Sequence, residues 1–96
     1  MNTFEFLSKN RENIITISSK HKASNIRVFG SVARQDENEN SDIDFLVTFD
    51  SKSTLFDKIE LIEDLENLLN RKVDIVSDKA IHKYLKEKII SEAKML

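Results

Sequence analysis

Residues 28–47 read VFGSVARQDENENSDIDFLV. An apolar run ends in Gly30-Ser31, a short helix-prone piece and a polar loop follow, and a second apolar run opens with Asp42 and Asp44. Gly30 is the only glycine in a chain of 96 residues that also has no proline. Average usage would place roughly six or seven glycines and about five prolines in that length. A glycine kept alone marks a backbone that needs an unusual conformation or a close approach to something. The two aspartates stand two apart at the head of a strand over 43–49. Strand period two sends both side chains to one face, roughly 6 to 7 Å apart, and turns Ile43 toward the other.

Working outward, residues 3–22 are helical in type, with Thr3 as cap and a stripe of Phe4, Leu7, Ile14, Ile15 and Ile17, interrupted near Ser8 to Asn10. Residues 26–29 are short and β-rich, with Ala23-Ser24-Asn25 as the turn before them. Residues 31–35 make one helical turn, and the polar run 36–41 reads as a solvated loop. From Leu55, apolar residues at 55, 59, 62, 65 and 69 predict an amphipathic helix capped by Ser53 or Thr54 and ending near Asn70. Val73 to Val76 is a third strand, and Ile81, Leu85 and Ile89, with Tyr84 packing beside them, form a last helix from near Asp78. The loop between strands one and two makes them antiparallel, and the helical crossover makes strands two and three parallel. The expected fold class is α/β (α+β): a small mixed sheet flanked by helices, in one domain over residues 1–96.

That topology gathers chemistry at one edge of the sheet. Asp74, between Val73 and Ile75, starts its strand near the start of strand two and joins Asp42 and Asp44. Three carboxylates repel one another, and a divalent cation reverses that sign. Oxygen donors without His or Cys favour Mg²⁺ or Mn²⁺ over zinc. Two such ions about 3.5 to 4 Å apart clamp an in-line displacement at phosphorus. Gly30 allows the main chain close to a phosphate, and Ser31 offers a hydroxyl and an N–H at the start of a helical turn. Arg34, one turn on, adds a charge-assisted contact. Together these describe a nucleoside triphosphate site.

Composition sets the bounds. With 40% apolar and 33% charged residues the chain reads as an ordinary globular domain. A net charge of −2 and pI near 5.7 provide no basic field for direct nucleic-acid binding. The absence of cysteine removes disulfides and thiolate metal sites and suits a cytoplasmic location. No apolar run is long enough to span a membrane, and the first residues do not read as a signal peptide.

Gly30-Ser31, ten residues, then Asp42-Ile43-Asp44 matches the G-S-x10-D-x-D signature of the polymerase β-like nucleotidyltransferase superfamily. Residues 28–34 and 41–47 strongly resemble the minimal nucleotidyltransferases (MNT), and Val73-Asp74-Ile75-Val76 resembles their third-carboxylate strand. The resemblance covers most of the chain and leaves no room for the additional helical domain of larger members. It implies an antitoxin encoded beside a HEPN-domain toxin, usually an RNase, that transfers AMP from ATP to a tyrosine hydroxyl of that toxin. It also implies that Asp42 and Asp44 bind the metals, that Asp74 completes the site and helps deprotonate the attacking hydroxyl, and that Gly30 and Ser31 hold the triphosphate. One departure is Gln35, where the family usually carries glycine. Two rival readings share these residues: a non-catalytic antitoxin that masks its toxin, and a nucleotidyltransferase with a small acceptor such as an aminoglycoside. His82-Lys83-Tyr84 resembles part of the HEPN nuclease motif, but Ile75, Val76 and Ser77 stand where that motif needs an arginine, so the chain is not its own toxin. His82 reads as a helix-surface residue, and His21 as a helix-terminal charge or surface group.

Overall fold

A computed structural model describes residues 2–96. The elements are α1 (Thr3–Lys9), α2 (Arg11–Lys20), β1 (Ala23–Phe29), α3 (Gly30–Arg34), β2 (Ile43–Phe49), α4 (Leu55–Leu69), β3 (Val73–Ser77), α5 (Lys83–Glu92) and β4 (Lys94–Met95). The strands form one sheet in the order β3-β2-β1-β4. β1 is antiparallel to both β2 and β4, while β2 and β3 are parallel, as the connections require.

One face of this sheet carries the core. Ile43, Phe45 and Val47 alternate along β2, with Ile26 and Val28 on β1 and Val73 and Ile75 on β3. They meet Leu7 of α1, Ile14 of α2, and Leu61, Leu65 and Leu69 of α4. Each large apolar side chain buried there contributes roughly 1.5–3 kcal/mol, so this layer supplies most of the driving force for folding. The β2–β3 crossover is defined by caps at both ends of α4. Thr54 N–H donates to Asp57 Oδ2 at 2.8 Å while the Thr54 side chain accepts from the Asp57 N–H. That hydrogen bond, and then Lys22 nearby, holds the Asp57 carboxyl below its ordinary pKa. At the other end Asn70 adopts a left-handed conformation and stops the helix.

The structure corrects several expectations. Asn2, not Thr3, caps α1: its Oδ1 accepts from the Glu5 N–H at 2.8 Å. The expected turn at residues 23–25 belongs to β1, as an irregularity in register between Ser24 and Arg27 with Asn25 at positive φ. The last helix begins at Lys83 rather than near Asp78. Asp78 is engaged by Thr48 and Arg27, and His82 Nδ1 accepts from the Tyr84 N–H to start the helix. Tyr84 is not a packing residue but 78% exposed. Leu55 and Ile59 are also exposed, and Leu61 takes the core position instead. At about 100° per residue, Ile59 lies about 120° around the helix from Leu65. His21 is buried rather than superficial, with Nε2 2.6 Å from Asp64 and Nδ1 3.4 Å from Glu60, both on α4.

Candidate active site

The second face of the sheet has a different chemistry. Asp44 projects from it, paired in register with Asp74 on β3 and Phe29 on β1. Asp42 precedes β2 by one residue and is exposed, as is Asp74; Asp44 is half-buried. Asp42 is placed by the loop that the sequence marks as merely solvated. Asn38 N–H donates to Ser41 Oγ at 3.0 Å, and Ser41 N–H returns a bond to Asn38 O at 3.1 Å. Arg71 then fastens the loop, donating to Ser41 O at 2.8 Å and to Thr3 Oγ1 at 3.1 Å. Arg71 was not expected from the sequence, since its role depends on bringing α1 and the β3 entry together.

Gly30 stands against Asp44. Its φ is +71°, and a Cβ there would lie 3.2 Å from Asp44 Cγ and closer still to Oδ2. Conformation and space both therefore require glycine. Gly30 is the first residue of α3, and Ser31 follows it in the first turn of that helix. The helix ends in a reciprocal backbone cap, with Asp36 N–H bonded to Ser31 O at 3.0 Å and Gln35 N–H to Val32 O at 3.2 Å. That cap puts Gln35 at φ 63°, a left-handed position that glycine occupies at lower cost.

The Asp44 carboxyl is pushed up to about 6, mainly by burial and then by the neighbouring charges of Asp74 and Asp42. Arg34 acts in the opposite direction, and Glu92 adds to the rise. An acid this reluctant to ionise among other acids is suited to a cation, whose charge would restore the ionised form. The donors are oxygen atoms only, which fits a hard divalent ion. Among the described residues, no three acidic, His or Cys side chains are closed around a common point. Asp44 and Asp74 share a register, while Asp42 lies one residue ahead of β2 and acts on Asp44 through its charge.

Arg34 is not an open phosphate donor as it stands. Its Nε donates to Asp36 Oδ2 at 3.0 Å and its other guanidinium arm to Glu92 Oε1 at 3.1 Å. Glu92, the last residue of α5, therefore belongs to the surroundings of the site. No sequence signal pointed to it, because it ends a helix without a single buried residue.

A glycine at a helix start pressed against a strand carboxylate, with another carboxylate in register on the parallel neighbour, is a specific arrangement. The polymerase beta nucleotidyltransferase family profile matches residues 12–96. The chain belongs to that family. A Methanocaldococcus jannaschii protein with the provisional name protein adenylyltransferase is 40% identical over 83 residues, 86% of this chain and 89% of its own. A solved structure described provisionally as a minimal nucleotidyltransferase superposes with a TM-score of 0.87 at 42% identity, covering 100% of this chain and 97% of the other. A toxin–antitoxin structure with AMP-PNP gives a TM-score of 0.75 at 26% identity, covering 88% of this chain and 70% of that one. The mixed four-stranded sheet with its helices is thus the minimal nucleotidyltransferase fold, and the chain is a nucleotidyltransferase.

Proposed function

We propose that this nucleotidyltransferase is a protein adenylyltransferase that moves AMP from ATP to a tyrosine hydroxyl of a HEPN-domain toxin and acts as its antitoxin. The observation that carries the reading is Gly30 seated against Asp44, with Asp44 in register with Asp74. Similarity to a relative named for protein adenylyltransfer, and to a toxin–antitoxin assembly with an ATP analogue, supports the substrate and the kind of partner.

In this reading Asp42, Asp44 and Asp74 hold two Mg²⁺ ions, for which Mn²⁺ can substitute. Bound there, the ions would neutralise phosphate charge and polarise the α-phosphorus for in-line attack. Gly30 brings the main chain close to the triphosphate, and Ser31 donates its hydroxyl and N–H to phosphate oxygens. Arg34 supplies a further cationic donor. Asp74 stands on the sheet's edge strand, where an acceptor from outside can reach it, and helps to take the proton from the tyrosine hydroxyl. The tyrosine oxygen forms a bond to the α-phosphorus, the bond from that phosphorus to the bridging oxygen breaks, and pyrophosphate leaves.

A masking antitoxin is the second reading, favoured by the non-glycine Gln35 in a left-handed position and by the exposed Tyr84 and Leu85 on α5. Intact-mass spectrometry separates the two. A HEPN-domain protein from the same organism is incubated with the chain, ATP and Mg²⁺, with Asp42→Asn/Asp44→Asn as control. A gain of AMP that the control lacks is the expected result. A stable complex without mass gain would overturn transfer in favour of masking.

A further inference from the structure

Arg34 ends the short helix that opens at Gly30, which stands against Asp44, and its charge offsets the mutual repulsion of the acids there. A guanidinium carried on that helix and left unpaired would be drawn to those carboxylates, occupying the oxygens that a cation needs. Its hydrogen bonds go instead to Asp36 and Glu92, at 3.0 and 3.1 Å. Asp36 is a local partner, two residues along the chain. Glu92 comes from the far end of the chain, and its side chain is only 16% exposed on a helix that buries no residue. β4 follows Glu92 directly and pairs with Arg27 and Val28, on the strand that leads into Gly30. Glu92 is therefore carried on a segment anchored to the same strand as the glycine turn.

We infer that Glu92 is a positioning residue: it holds Arg34 by Nη1 beside the carboxylates instead of on them, leaving Nη2, which neither Asp36 nor Glu92 engages, for a triphosphate and Asp42 and Asp44 for cations. The inference rests on the reading of this face as the Mg²⁺–ATP site. It assigns a functional reason to an acid on the final helix and makes the C-terminal segment part of the nucleotide site.

A double-mutant cycle read by binding rather than turnover tests it. The Kd of Mg²⁺–AMP-PNP is measured by calorimetry for the wild-type chain, Glu92→Ala, Arg34→Ala and the double variant, each checked for native circular dichroism. Glu92→Ala is expected to weaken binding by about three- to tenfold, and by less than about twofold when Arg34 is already alanine. Glu92→Asp keeps the charge but shortens the reach, and is expected to weaken binding to an intermediate degree. Equal factors in both backgrounds, wild-type affinity in Glu92→Ala, or wild-type affinity in Glu92→Asp would overturn the inference, the first and last by reducing Glu92 to a field effect. A wild-type chain that fails to bind Mg²⁺–AMP-PNP would instead overturn the functional reading on which it rests.

Discussion

β2 presents two faces with opposite tolerances. Ile43, Phe45 and Val47 are fully buried on one face, where packing selects them. On the other, Asp44 sits between Asp42 and Asp74 with its carboxyl pushed up to about 6, an arrangement that weakens the free protein. A single seven-residue strand thus contributes to stability along one whole parity and at Leu46 of the other, and gives some of it up at Asp44. Alternation makes this possible, because it turns Asp44 away from the core that Ile43 and Phe45 enter on either side of it.

The comparison breaks most visibly on the core side. Phe45→Ala is expected to cost about 3–5 kcal/mol, a large share of the stability of a domain this size, and to appear as a collapse of the urea midpoint. A loss below about 1 kcal/mol would show that this face does not carry the core. Gly30→Ala tests the seam between backbone and acid face. The added Cβ meets Asp44 at a positive φ, so a loss of about 1–3 kcal/mol is expected. The same change paired with Asp44→Ala should recover the steric part and leave the conformational part, measurable in the same denaturation series. The smallest expected effect is at Gln35. Gln35→Gly relieves the left-handed strain and should raise stability by about 0.5–1 kcal/mol in thermal denaturation.

The same two faces explain what was legible in the sequence. β2, β3 and most of α4 were readable because their patterns are local: period two across 43–49, a short β-branched run at 73–76, and capping signals at Thr54 and Asn70. The meeting of Gly30, Asp44 and Asp74 was readable because it follows from the ends of β1 and the starts of β2 and β3. Glu92, Arg71 and buried His21 were not, since each acquires its role from a partner brought by the fold: Arg34, Ser41 and Asp64 respectively. β4 was equally hidden, because Lys94 and Met95 have no strand pattern of their own and are extended only by pairing with β1.

On the proposed reading, the acid face gives up stability until a cation and nucleotide occupy it. Its carboxyl titrates above the ordinary 3.8, so the native state binds more protons than the unfolded chain between about 4 and 6. Stability attributable to Asp44 is therefore fully present below that window and lost as pH rises through it. Partial exposure reduces the effect to about 1 kcal/mol. The most direct measurement is urea denaturation of wild-type and Asp44→Asn chains at pH 7, with and without Mg²⁺–AMP-PNP. The account predicts that Asp44→Asn is the more stable protein alone, by about 1 kcal/mol, and the less stable once Mg²⁺–AMP-PNP is present. An Asp44→Asn chain that is less stable alone, or that gains as much from Mg²⁺–AMP-PNP as the wild type, would contradict it.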